Sequence, residues 1–286
     1  MVKSFYSLGL PGWSNRDWLG SLFPRGSNSG NFLHHYSSVF NAVEGNTTFY
    51  ATPAADVVAS WKEQARPGFE FCFKLPRKIT HENFLRYSGV EVSEFLQRME
   101  PLAEFFGPFM IQLPDSFEPR QLPDLKTFLQ SLPKDFRYSV EVRHRDFFNR
   151  GEEERALNSL LHEMQADRVC FDSRALFSLP AETEAEVDAQ RKKPRLPVHA
   201  IVTAQRPLVR FIGSSSAHHN EQYLLPWVQK FGEWQQQGIK PLMFIHTPDN
   251  RAAPEQAAAF HQLLKALPDW EPLPVTIGDE SQLTIF

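Results

Sequence analysis

Eight short apolar runs set between amphipathic segments predict an α/β chain folded as a single (β/α)8 barrel of the TIM type. The runs are continuously hydrophobic, as expected of parallel strands covered on both faces. Six stretches with a helical period lie between them and a seventh follows the last. No G-x-G-x-x-G or Walker-type turn follows an early run, which weighs against an open, doubly wound sheet.

The strands are read at residues 5–9, 42–44, 69–74, 109–112, 138–141, 169–172, 208–211 and 242–245. Between the first two, Phe32, Leu33, Tyr36, Val39 and Phe40 share one helical face. Ala54, Val57, Val58, Trp61 and Ala65 form the next stripe, which Pro67-Gly68 ends. Val92, Phe95, Leu96, Met99, Leu102 and Phe106 run on to Gly107-Pro108, with a kink expected at Pro101, because proline lacks an N–H and crowds the preceding turn. Leu122, Leu125, Phe128, Leu129 and Leu132 make a fourth stripe, and Leu157, Leu160, Leu161 and Met164 a fifth. Leu224, Val228, Phe231 and Trp234 make a sixth, ended by Gly238. The last helix is expected to start at Pro254, a residue suited to a first turn, and to carry Ala257, Phe260, Leu264 and Leu267.

One segment breaks the rhythm. Residues 173–207 replace or lengthen the sixth helix unit with a polar stretch holding Glu182, Glu184, Glu186, Asp188, Arg191, Lys192 and Lys193. It has too few apolar residues for a core of its own, so it reads as an insertion at the barrel mouth with a short solvated helix ending near Pro194. Residues 1–286 are thus expected to form one domain, with 274–286 as a surface tail.

With 42% hydrophobic and 22% charged residues, the chain can build a large core, which excludes wholesale disorder. Thirty basic against 34 acidic residues give a formal net charge of -4, so no global field draws a polyanion or an acidic membrane, and nucleic-acid binding would need a local patch. No run approaches the ~18 apolar residues of a membrane helix. Gly9, Pro11 and Gly12 break the apolar stretch after Lys3, so no signal peptide is expected. Cys72 and Cys170 lie in separate buried runs and fit reduced thiols, which points to the cytoplasm.

In a parallel barrel every strand's carboxyl end points to one face, where reacting groups gather. Glu44, Lys74, Glu141, Arg143 and Asp172 are the candidate catalytic residues, the carboxylates for proton transfer and the cations for developing negative charge. Gly12, Trp13, Asn46, Thr48, Tyr50, His81, Gln112, His144, Arg210 and His246 are candidates for substrate contact. A single buried charge is as often half of a structural ion pair, but charge at this many strand ends favours a site. Glu44, His81, His144, Asp172 and His246 offer ligating atoms, yet their spacing matches no metal motif and no dedicated metal centre is expected. No organic cofactor motif is present.

Ser214-Ser215-Ser216 lacks a G-x-S-x-G frame and Cys72 lies mid-strand, so neither is assigned as a nucleophile, although Gly213 and the serines offer donors to a phosphate. Arg191-Lys192-Lys193 reads as solvated surface. The whole points to an enzyme on a small polyhydroxylated or phosphorylated substrate, with Glu44 and Glu141 as acid and base. Two readings stay beside it. Lys74, Arg143, Arg145 and Arg210 suit a phosphodiester-cleaving or nucleic-acid-binding protein, and the same pocket suits a non-catalytic metabolite-binding or scaffold protein.

These residues carry a resemblance. Gly12-Trp13 with Trp18 and Gly20, the stretch 43–50, Trp61, Phe69-Glu70-Phe71, Lys74-Leu75-Pro76, Thr80-His81, Gln112-Leu113-Pro114, Glu141-Val142-Arg143-His144 and Asp172 occur in an order that resembles the domain of unknown function 72 (YecE-like) family over nearly the whole chain. Gly45, Ile212 and His246 depart from the commoner pattern of that family. The resemblance implies a TIM-barrel fold and a family whose activity is not established.

Overall fold

A computed structural model describes residues 5–268 of the chain; the tail expected at 274–286 lies outside the described residues. Strand β1 (Ser7–Gly9) leads to helix α1 (Phe32–Val39), β2 (Ala42–Gly45), the single turn α2 (Thr47–Tyr50), α3 (Ala55–Gln64) and β3 (Glu70–Phe73). Next come α4 (Gly89–Met99), β4 (Phe109–Gln112), α5 (Leu122–Ser131), β5 (Tyr138–Glu141), α6 (Glu152–Glu163) and β6 (Asp167–Asp172). The chain then forms α7 (Glu184–Lys192), β7 (Leu208–Ile212), α8 (Ala217–Gln236), β8 (Leu242–His246) and α9 (Ala253–Leu263). Proline acts where expected: α4 tightens into a 3-10 turn at Glu100–Phe105, and Pro254 lies in the first turn of α9. In the polar segment, Thr183 and Glu186 cap α7 reciprocally, an arrangement that satisfies two free N–H groups at the helix start.

The expected closed eight-stranded TIM barrel is not formed. Six strands make a parallel half-barrel in the order β1-β8-β7-β6-β5-β4, and β2 and β3 pair separately. Side chains explain the first break. Leu8 N–H donates to Asn41 Oδ1 (2.7 Å) and Leu10 N–H to the Tyr36 hydroxyl (2.7 Å), which donates on to Ala42 O (3.0 Å). Most groups that would join β1 to β2 are thereby satisfied by side chains, leaving Glu44 N–H to Leu10 O (3.0 Å) as the backbone link between them. Gly9 permits the approach, since a Cβ there would lie 2.0 Å from Ala42 O. At the second break Pro108, just before β4, has no N–H to offer a ladder, and contact with β3 is reduced to isolated bridges at Phe71–Phe106 and Lys74–Met110.

The two sheets nonetheless turn their inner faces to one plug of Ala42, Cys72, Met110, Val169, Leu208, Leu242 and Phe244. Side chains on one face of a strand recur every second residue. Two residues beyond the plug the inward positions are therefore Glu44, Lys74, Gln112, Phe171, Arg210 and His246, with Glu141 on the same face of β5. A charged layer sits directly on the apolar one.

Candidate functional site

Arg210 organises this layer. Its Nε and one terminal nitrogen donate to the two oxygens of Glu44 (2.7 and 2.8 Å), and its other terminal nitrogen donates to Glu141 Oε2 (2.7 Å). Arg143 donates to the remaining Glu141 oxygen through Nε (2.8 Å). His246 Nε2 lies 3.2 Å from Glu44 Oε2. Lys74 Nζ donates to Gln112 Oε1 (2.8 Å) and stands 3.6 Å from Glu44 Oε1. Phe171 lies beneath both guanidinium groups, 5.4 Å from Arg210 and 5.9 Å from Arg143, and Phe49 faces Lys74 Nζ at 6.0 Å.

Burial and charge pull against each other here. Burial disfavours ionised Glu44, but Arg210, His246 and Lys74 outweigh it and hold that carboxyl well below its ordinary range. Burial likewise opposes ionisation of Glu141, and Arg210, Arg143 and Lys74 overcome it, bringing that group to about 2. Lys74 responds the other way: burial and then Arg210 push its amine down to about 7, despite Glu44 and Glu141. Lys193, half-buried at the end of α7, feels burial, Arg210, Glu44, Arg143 and Glu141 and falls to about 8. Burial brings His246 to about 3, and burial with Arg143 and Arg77 brings His81 to about 4, so both rings are neutral at pH 7. Four basic side chains, Lys74, Arg143, Lys193 and Arg210, thus confront two carboxylates.

The other expected residues are placed as follows. His81 sits on a π-helical turn (Lys78–Glu82) with its ring edge-on to Phe49 at 5.0 Å. Thr48 anchors the strand beneath Lys74 by donating to Lys74 O (2.7 Å) and Gly45 O (3.0 Å). Asn46 donates to Pro11 O (3.3 Å), while its Oδ1 is buried with no partner among the described residues. Gly12 adopts φ +130° in the turn after β1, a conformation that suits glycine.

Four candidates are not brought into the layer. Asp172 is one pleat out of phase and faces the helices, held by Arg174 (3.0 and 2.8 Å) and by the indole of Trp227 on α8 (2.8 Å). Trp13 packs edge-on against Trp61 and Phe71 in the hydrophobic core. Tyr50 is 80% exposed. His144 caps the 3-10 turn Arg145–Phe148, and so turns to its own backbone. Of the residues that offer ligating atoms, Glu44 and His246 meet in the layer while His144 and Asp172 turn elsewhere, and among the described residues no three His, Cys, Asp or Glu side chains group together. Gly213 and the serine run belong to a loop network in which Ser214 N–H and hydroxyl both donate to Asn220 Oδ1, whose amide donates to Gln256. Lys193 is the functional candidate the sequence reading missed. Nothing in a run of three basic residues marks its last member as the one that turns inward.

Fold and charged layer together define a parallel α/β protein with a net-cationic centre at its strand tips. The model of the family described as "Protein of unknown function DUF72" matches residues 7–276, and the chain belongs to that family. It is 46% identical over 277 residues to the UPF0759 protein YecE of Escherichia coli strain K12, covering 96% of this chain and 98% of that protein, and equally so to its counterpart in Escherichia coli O157:H7. A solved DUF72 family protein from Enterococcus faecalis V583 superposes with a TM-score of 0.70 at 19% identity, covering 93% of this chain and 98% of that one. Another from Thermotoga maritima MSB8 gives 0.69 at 21% identity, covering 91% and 99%. At such identity these structures speak for the fold alone. Among the described residues no helix is long and apolar enough to cross a membrane.

Proposed function

We propose that the charged layer is the reaction centre of an enzyme acting on a small, anionic, polar substrate. The observation that carries this reading is the surplus of positive charge: both carboxylates are already clasped by Arg210, yet Lys74, Arg143 and Lys193 share the same centre. A structural ion cluster would tend to balance its charges, because a buried uncompensated cation is costly. An anionic substrate supplies the balance. Arg143 and Lys193 take the anion, and Lys74 moves the proton, since its amine lies near the operating pH. Glu44 and Glu141 act as permanent counter-charges and fix Arg210. The orphan Oδ1 of Asn46 suits a substrate hydroxyl.

The test is calorimetric titration with inorganic phosphate, followed by a turnover screen on small phosphorylated and carboxylated compounds with Lys74→Met as the blank. Binding should weaken roughly tenfold in Arg143→Met and fall as pH rises from 7 to 9, where the two lysines lose their charge. Phosphate affinity indifferent to Arg143 removes the anion site, and a Lys74→Met variant with full turnover removes Lys74 from the chemistry.

A further inference from the structure

Lys74 differs from an ordinary buried lysine in how its amine is held. Its backbone is fixed from three sides: Lys74 N–H donates to Gly45 O (3.2 Å), Lys74 O accepts from Thr48 (2.7 Å), and the next residue, Leu75, donates to Met110 O (3.0 Å). The amine bonds to a neutral acceptor, Gln112, and not to a carboxylate. Its nearest carboxylate, Glu44, stays 3.6 Å away because both Glu44 oxygens are occupied by Arg210. The Phe49 ring lies over it, and the side chain is only 8% exposed. This is an amine positioned on a rigid strand tip, free of a tight ion pair and flanked by groups that bind anions.

We infer that Lys74 is a covalent catalyst that condenses with the carbonyl carbon of a small substrate carrying a carboxylate or phosphate group, Arg143 and Lys193 holding that group. The inference rests on the anion-site reading above and adds to it a bond. The neutral Nζ lone pair adds to the carbonyl carbon as the C=O π pair moves to oxygen, and transfer of one proton from nitrogen to that oxygen gives the carbinolamine. The hydroxyl takes a further proton from the medium and leaves as water, while the nitrogen lone pair closes the C=N bond. The product is a cationic iminium. It stands where the ammonium stood, with Glu44 3.6 Å from that position to stabilise it. The iminium then draws electrons from a bond at the adjacent carbon, so loss of a proton there, or cleavage of a carbon–carbon bond, becomes accessible. An amine near pH 7 supplies the neutral nucleophile without strong base.

The experiment is reductive trapping on the full chain. Pyruvate and dihydroxyacetone phosphate are each incubated with the protein and sodium cyanoborohydride from pH 6 to 8, and adducts are mapped by peptide mass spectrometry. One reduced adduct per chain on Lys74, formed faster as pH rises, slowed by inorganic phosphate and absent from Lys74→Arg, is the expected result. The probe that reacts decides between a carboxylate and a phosphate on the natural substrate. Adducts scattered over surface lysines, or none with either probe, overturn the inference. If phosphate still binds through Arg143 in that case, the anion site survives without the covalent step; if phosphate binding is absent too, both fail. Mapping on the wild-type chain keeps the test valid even where Lys74→Arg does not fold.

Discussion

Two buried ion clusters stand at opposite ends of the strands, and they are built differently. At the amino ends Arg206 donates to both oxygens of Glu70 (3.1 and 2.7 Å), to Ser7 Oγ (3.1 Å) and to Lys240 O (2.9 Å), while its backbone N–H donates to Asp167 (2.9 Å). The guanidinium is shared among acceptors from β1, β3 and the segment just before β8, while the backbone N–H reaches β6, and together they tie the two-stranded sheet to the half-barrel. At the carboxyl ends Arg210 ties the same sheets through Glu44 and Glu141, but three more basic groups crowd around it. Both clusters hold the sheets together; only the second has more basic groups than carboxylates.

The largest effect expected from this contrast is on stability. Arg210→Met leaves Glu44 and Glu141 buried without their main partner, and should cost about 3–5 kcal/mol in urea unfolding. Arg206→Met should cost less, about 1–3 kcal/mol, because Glu70 is 26% exposed and can turn to water. Equal costs would erase the difference in burial on which the comparison rests.

The pH dependence separates the clusters next. Lys74 is at about 7 in the folded chain against 10.5 ordinarily, so between those values the unfolded chain binds more protons, and stability rises with pH. Asp167 moves oppositely: burial, opposed by Arg206, brings it to about 6 against 3.8, so the folded chain binds more protons and stability falls as pH climbs from 4 to 6. Lys74→Met should flatten the first slope to the part that Lys193 contributes, and Asp167→Asn should abolish the second. Unfolding midpoints measured across pH 4–10 check both signs.

The sequence reveals the two clusters unequally. Glu44, Lys74, Gln112 and Glu141 end continuous apolar runs, and a polar residue that closes such a run is legible as a strand tip, whereas Arg210 lies inside its run. Register between distant strands is not. Phe171 pairs across from Arg210, so Asp172 must point the other way, but nothing in the run 169–172 states which residue of β6 is level with Arg210. The interrupted ladder is equally hidden, since Tyr36 and Asn41 act on strand groups that only tertiary folding brings near. Arg206 at the amino ends lies in no motif, Glu70 sits in the Phe69-Glu70-Phe71 stretch with nothing to mark its partner, and Lys193, just past the end of α7, comes from a run of three basic residues that look alike in the sequence.

The smallest effect tests whether Asp172 belongs to either cluster. In Asp172→Asn the side chain keeps an acceptor for Trp227 but loses the charge that Arg174 meets with two donors. Arg174 is 42% exposed and can recover its hydration, so the cost should be about 1 kcal/mol. Phosphate affinity should not change, because Phe171, and not Asp172, lies under Arg143 and Arg210. A titration in which Asp172→Asn alters phosphate binding more than about threefold, a difference near 0.7 kcal/mol, would place Asp172 electrostatically inside the proposed reaction centre. The two-residue alternation along β6 would then be the wrong guide to which side chains share that centre.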